Sequence, residues 1–378
     1  MTDWNRLIRE PLRDLGPYVP GSNAAAVRAR HGIDDLARLN WNEGLFGPLP
    51  GVLEATAARL GEAWMYPEAA YGELVEAVAG WLGVPPAQVL PGHGIQALVL
   101  TIISALVSPG DRVVVPRPTY GLYAPACQAA GAHVHRVDCP DLRLDLERIA
   151  AAAHDTGAKL AWICDPNNPT GARLDPAEWA AFLDALPPDC IAIADEAYVD
   201  YIRPDERTPR LADVADGRRV IVLRTFSKVF AIAGLRLGYA VVDAALATYL
   251  HSVQEPFNVN LAALAAGAAA LAHPEQVDAR REETIACREL LVDRLRAGGL
   301  EPVPSASNFV LVPLPLADDL AVTDQVARRG ILIRPGTEFG LPGHARITVA
   351  PAPLMERVAE ELITACRAPR AAAAAPSE

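Results

Sequence analysis

The chain has 378 residues, 51% of them apolar, enough for a large core and, at ordinary domain sizes, for two globular domains. A formal charge of −12 with no long Lys/Arg run argues against nucleic acid as a partner, because phosphate-backbone binding needs clustered cations. Six cysteines without a Cys-x-x-Cys pair point to neither a metal site nor a disulfide framework. The N-terminus, MTDWNRLIREPLRDLG, lacks the apolar core of a secretory signal, and the alanine-rich run Val259–Ala272 is too short for a membrane span. The expectation is a cytoplasmic protein acting on small molecules, without a membrane or nucleic-acid partner.

Between about residues 90 and 245, short apolar runs alternate with amphipathic stretches, the pattern of βα units around a mostly parallel sheet. In chain order the spacing predicts a helix over Gly94–Val107, a strand over Arg112–Val115, a helix over Leu122–Ala130, and strands over His133–Val137 and Lys159–Cys164. A helix over Pro176–Leu186 follows, with Asp175 as its N-cap and Pro176 at its first position. Strands over Cys190–Ala194, Val220–Leu223 and Gly238–Val242 complete the block. After Pro256 come an Ala-rich helix, a charged helix from about Pro274 to Ala297, and strands Asn308–Val312 and Ala345–Val349 around a helix near Asp318–Arg329. The reading is α/β: a large domain with a mostly parallel central sheet flanked by helices (41–250), and a smaller α+β domain (251–366). Residues 1–40 are read as an arm packing with the small domain, and 367–378, alanine-rich and short of large apolar side chains, as a disordered tail.

Residues that carry chemistry fall at successive predicted strand ends. In R-T-F-S-K-V-F-A-I-A-G-L-R, Lys228 follows a buried strand, where an ammonium is costly unless paired or converted; an imine to an aldehyde cofactor resolves that cost and makes it a nucleophile. Thr225, Ser227 and Arg236 around it suit a phosphate dianion. In A-D-E-A-Y, Asp195 ends a strand where an open parallel sheet meets its ligand; its carboxylate can hold a pyridine nitrogen protonated, and Tyr198 can donate to the ring 3-oxygen. The tight loop D-P-N-N-P-T-G presents Asn168 toward the same oxygen. The glycines of P-G-H-G-I-Q-A open a helix whose first N–H groups, at Gly94, Ile95 and Gln96, suit phosphate, and Tyr120 in P-T-Y-G-L-Y can stack on a planar ring. Each motif alone is an ordinary turn, cap or half-buried tyrosine about as often as a site; their order and spacing together are what argue for one.

Together these motifs resemble the class I/II aminotransferases of pyridoxal 5′-phosphate (PLP) fold type I, and most of all the histidinol-phosphate aminotransferase group, from L-G-P-Y-V-P-G at residue 15 to A-R-I-T-V-A at residue 345. The resemblance implies Lys228 as the Schiff-base lysine and proton shuttle, Asp195 as partner of the pyridinium, and Tyr198 and Asn168 on the ring oxygen. It makes Tyr120 the stacking ring and Thr225, Ser227 and Arg236 the phosphate cup. It further implies a homodimer in which Tyr66 reaches the neighbouring subunit's cofactor phosphate, and a substrate side made of Arg346, Arg334, Tyr18 and Asn42. The implied reaction moves an amino group from an amine donor, histidinol phosphate first, to a 2-oxo acid such as 2-oxoglutarate.

The chain departs from that group in three places. It has Asn42-Glu43-Gly44-Leu45 where N-E-N-P is common, Gly94-Ile95-Gln96-Ala97 where G-S-D-E is common, and P-G-T-E-F-G after Arg334, closer to amino-acid aminotransferases in general. Aromatic amino-acid transamination, or a decarboxylase or lyase reaction on the same scaffold, stays open at this point. A PLP-binding regulator would carry a basic DNA-binding segment, and a Rossmann dehydrogenase a G-x-G-x-x-G after its first strand; neither is in the sequence.

Overall fold

A computed structural model describes residues 4–13, 15–16 and 21–367. The chain divides into a large unit, within 1–19, 43–285 and 304–308, and a small unit, within 20–42, 286–303 and 309–378. Strand β1 (Ala37–Arg38) belongs to the small unit; β2 (Val89–Gly92), β3 (Arg112–Arg117), β4 (His133–Asp138), β5 (Leu160–Cys164), β6 (Ile191–Asp195), β7 (Val220–Thr225) and β8 (Gly238–Val241) build the sheet of the large unit.

That sheet runs in the order β2-β8-β7-β6-β5-β3-β4, parallel from β7 through β4, with β8 antiparallel to both neighbours. Its central strands β5 and β7 are buried at every residue, as expected of a sheet covered on both faces. Leu98, Val99 and Ile102 of the Gly94–Leu106 helix pack with Val113, Trp162, Ile193 and Leu223 in one apolar cluster. This packing sets the first turn of that helix at one end of the sheet.

The predicted strands and helices recur with their ends moved by a residue or two. Elements of the block that were not anticipated include the edge strand β2, the short helix Arg210–Ala215, and the helix Leu146–Thr156, which Asp145 caps through Arg148 N–H. Residues 251–285, expected in the small domain, cluster with the large unit. Their Leu261–Leu271 helix packs on the helices Val52–Leu60 and Gly72–Leu82, and Gly267 makes this approach possible, since a Cβ there would stand 2.6 Å from Leu237 and 2.8 Å from Leu74. The expected arm is split as well. Residues up to 16 go with the large unit, where Glu10–Leu12 lies against the Tyr123–Ala129 helix, and residues from 21 go with the small one. The tail beyond Arg367 lies outside the described residues.

In the small unit, β9 (Phe309–Pro313) and β12 (His344–Thr348) pair antiparallel, and β11 (Arg334–Pro335) adds to β12 so that Arg334 stands opposite Arg346. A short parallel ladder joins β1 to β10 (Ile331–Leu332). The Asp319–Arg328 and Ala352–Arg367 helices bury Val322, Val326, Met355, Val358 and Leu362. No helix among the described residues is long and apolar enough to cross a membrane, and no group of side chains there forms a metal site.

Candidate active site

Strand β6 ends on Asp195, which is fully enclosed. Its Oδ1 accepts the Ala197 N–H at 3.0 Å, and its Oδ2 accepts the Tyr123 hydroxyl at 2.5 Å. Burial pushes this carboxyl from 3.8 up to about 6, although the Tyr123 hydroxyl, the Ala197 N–H and the positive charge of Lys228 all pull the other way. Burial and the neighbouring Asp195 hold the Tyr123 phenol well above its ordinary value, so it stays protonated and donates. Tyr123 stacks on Trp162 and meets the ring of Tyr120 edge-on. No reading of the sequence picked it out; the only signal is its place three residues after Tyr120, at the start of a helix.

Lys228 follows β7, with its Nζ 5.4 Å from the centre of the Tyr198 ring. The Tyr198 hydroxyl accepts a hydrogen bond from Asn168 Nδ2 at 3.2 Å. Asn168 is held by its neighbour: the buried Asn167 donates to Pro118 C=O and to Thr170 and accepts from Thr119, tying this loop to the one that carries Tyr120. Gly44, within the departing Asn42-Glu43-Gly44-Leu45, has a local reason to be glycine. A Cβ there would collide with the Lys228 carbonyl and with Ala231.

An anion-ready corner lies beside these groups. The Gly94–Leu106 helix has no side-chain cap and no acid in its first turn, so the N–H groups of Gly94, Ile95 and Gln96 carry the positive end of its dipole. Gly94 sits at φ +73°, and a Cβ on it would stand 2.8 Å from Arg236 Nη2. Arg236 donates to Gln96 Oε1 at 3.3 Å, and Gln96 Nε2 donates to the Tyr120 hydroxyl at 3.0 Å. Gln96 therefore bridges guanidinium and phenol where the acidic residue common in the resembled group would stand. Thr225 and Ser227 are buried close by; the Thr225 hydroxyl accepts the Ser227 N–H and donates to Leu237 C=O.

The large unit thus gathers Gly94, Ile95, Gln96, Tyr120, Asn168, Asp195, Tyr198, Thr225, Ser227, Lys228 and Arg236 around the strand ends. The profile of the family described as aminotransferase class I and II matches residues 34–362, seven-eighths of the chain. The chain belongs to this family. It is a PLP-dependent aminotransferase of fold type I. Similar proteins include the histidinol-phosphate aminotransferases of Symbiobacterium thermophilum (37% identical over 359 residues, 94% of this chain and 97% of that one) and Moorella thermoacetica (35% over 342 residues, 90% and 88%). Among solved structures, histidinol-phosphate aminotransferase from Sinorhizobium meliloti in complex with pyridoxal-5′-phosphate superposes with a TM-score of 0.87 at 30% identity, covering 95% of this chain and 97% of that chain. A double mutant of Thermus thermophilus aspartate aminotransferase superposes with a TM-score of 0.81 at 25% identity, covering 95% and 99%.

The aminotransferase cradle fits PLP on three counts. An uncapped helix start and an arginine meet where a phosphate would sit, a buried carboxylate at a strand end is oriented by a phenol and a backbone N–H, and a lysine stands over a tyrosine that is already hydrogen-bonded to an asparagine. Tyr66 is exposed on the large unit and stacks on Phe257. In the small unit, Arg346 is buried, donates to Asn40 C=O at 3.0 Å and lies over the rings of Phe309 and Phe339. Arg334 is on β11, and Asn42, at φ +55°, is buried against Thr348. Tyr18 lies outside the described residues.

Proposed function

We propose that Lys228 binds the cofactor's aldehyde and, once an incoming amine releases it, carries the proton at the donor carbon. PLP held there supplies an electron sink for the pair left on that carbon. Asp195 would face the ring nitrogen as an anion, oriented by Tyr123 and the Ala197 N–H. Asn168 and Tyr198 would hold the ring oxygen, Tyr120 the ring face, and the N–H groups of Gly94, Ile95 and Gln96 with Thr225, Ser227 and Arg236 the phosphate. Lysine suits the proton transfer because an ammonium in a desolvated, cation-rich site gives up its proton readily. The observation that carries this reading is the convergence of Lys228, Tyr198 and Asn168 at 5.4 and 3.2 Å beside the enclosed Asp195.

The donor we propose is histidinol phosphate, with 2-oxoglutarate as acceptor; the names of the relatives and Arg346, with Arg334, Asn42 and Tyr18, as a holder of an anionic group support it. A second reading, an aromatic amino acid as donor, is favoured by one observation: Glu338 of the departing P-G-T-E-F-G segment lies 3.3 Å from Arg334 and offsets its charge. A homodimer in which Tyr66 serves the partner's cofactor belongs to the same proposal, and the exposed apolar side chains around Tyr66 support it. So does a cytoplasmic setting, in keeping with six cysteines that form no disulfide among the described residues, five of them buried.

Replacing Lys228 with alanine is expected to abolish the visible absorbance of lysine-bound cofactor and to lower turnover by several orders of magnitude. The check is an absorbance spectrum with single-turnover mixing against histidinol phosphate and phenylalanine. Undiminished colour and turnover would remove Lys228 from its role.

A further inference from the structure

We infer that Glu338 sets which anion the arginine pair of the small unit accepts, acting as a resident counter-ion that a phosphate monoester has to displace and a carboxylate does not. This rests on the reading above that Arg346 and Arg334 hold the anionic group of the substrate.

Arg334 and Arg346 stand directly opposite on adjacent antiparallel strands, a placement that sets like charges against each other. Arg346 is 3% exposed and the Arg334 side chain 11%, so water screens neither well. Among the groups that face the two guanidiniums are an aromatic ring shared by both and a carboxylate beside Arg334. Phe339 lies 5.7 Å from the Arg334 guanidinium and 5.5 Å from that of Arg346. Glu338 places Oε2 3.3 Å from Arg334 Nε, and its Oε1 accepts the Ser22 hydroxyl at 2.8 Å. Gly21, at φ +94°, leaves room for this contact; a Cβ there would stand 2.7 Å from Glu338 Oε2. The loop bearing Glu338 is pinned by Asp319, whose carboxylate accepts the Thr337 N–H, the Thr337 hydroxyl and the Gly343 N–H.

The pair is nonetheless incomplete. Arg334 Nε and Glu338 Oε2 are both buried, and neither has a hydrogen-bond partner among the described residues, so they attract by charge without the alignment of a hydrogen bond. An incoming anion with an aligned oxygen would satisfy that donor better than Glu338 does. With Glu338 already offsetting the charge of Arg334, the site suits a singly charged carboxylate better than a doubly charged group. A phosphate dianion brings a second negative charge against Glu338 and binds well only when Glu338 swings away, at a cost that reduces its advantage. Glu338 thereby narrows the preference for a phosphate-bearing amine over an α-amino acid.

The test measures kcat/KM of the holoenzyme for histidinol phosphate and for phenylalanine, with 2-oxoglutarate as acceptor, in wild type, Glu338→Gln and Glu338→Asp. Glu338→Gln is expected to raise the phosphate-to-carboxylate ratio by about tenfold or more, mainly through KM for the phosphate substrate, and to tighten inhibition by inorganic phosphate alike. Glu338→Asp, which keeps the charge, is expected to stay near the wild-type ratio. A ratio and a phosphate inhibition constant that do not move in Glu338→Gln overturn the inference. Arg346→Gln, checked for bound cofactor by its absorbance, separates the two levels: KM unchanged for both substrates means that the arginine reading itself is wrong, whereas KM raised with an unmoved Glu338→Gln ratio sinks only the role of Glu338.

Discussion

At the scale of single residues, the cost concentrated on Asp195 has a measurable consequence. Without cofactor its carboxyl is raised from 3.8 to about 6, chiefly by burial, so the folded chain holds a proton there that the unfolded chain releases at lower pH. This contribution to stability is complete below about pH 4 and is lost as pH rises through about 6. Two pKa units correspond to on the order of 3 kcal/mol. Urea unfolding of cofactor-free protein is expected to show wild type losing about that much relative to Asp195→Asn between pH 4 and 7.5, because the amide does not titrate. A difference between the two proteins that stays flat over this range contradicts the account. Asp195 itself was legible, since an acid at the end of an apolar run is where a parallel sheet meets its ligand. Tyr123, which orients it, was not: whether a phenol three residues after Tyr120 faces the strand end depends on how the Tyr123–Ala129 helix packs on Trp162.

At the scale of elements, the strand ends that carry the site are latched from below by buried ions. Arg210, in the short Arg210–Ala215 helix, donates to Asp165 Oδ2 at 2.6 Å and to Glu196 Oε1 at 3.0 Å, lies over Trp179, and is almost wholly buried; Glu196 in turn pairs with Arg224 of β7. Burial would push Glu196 up, but Arg224 and Arg210 outweigh it and hold the carboxyl below its ordinary range. One arginine thus joins the loop of Asn168 to the residue after Asp195. Arg210→Met is expected to cost about 3–5 kcal/mol, because it leaves the buried Asp165 without its cation and takes one of two from Glu196, and to speed cofactor loss. Adding Asp165→Asn, which neutralises the carboxylate left without its cation, should restore part of the stability; denaturation midpoints and cofactor release rates of the two variants decide it, and a loss under about 1 kcal/mol in the single variant would show that the latch is dispensable. None of this network could be read from T-P-R-L-A-D, where an arginine looks like surface. The strands buried on both faces were legible as apolar runs, while β2 was not: Val-Leu-Pro-Gly reads as a turn, and only its edge position, paired with β8 alone, tolerates Pro91.

At the scale of the whole molecule, the large unit leaves unusual apolar groups in water. Leu53 and Leu60 on the Val52–Leu60 helix, then Trp64, Met65 and Tyr66, and Phe257 stacked on Tyr66, are all exposed, Trp64 by 82% and Tyr66 by 81%. Each side chain of this size gains roughly 1.5–3 kcal/mol when fully covered, so a second copy lying over several of them would bind tightly even after the entropy of association is deducted. The proposed shared active site makes that dimer functional, since Tyr66 would then serve the cofactor of the other copy. Leu60→Glu with Trp64→Glu is therefore expected to yield a monomer that holds PLP weakly and turns over little, whereas Tyr66→Phe is expected to stay dimeric and lose only cofactor affinity, about tenfold for one hydrogen bond to a charged group. Sedimentation velocity, read beside cofactor titration, separates the possibilities. A double variant that still sediments as a dimer moves the interface to another face, and a wild-type protein that is active as a monomer removes the shared site altogether.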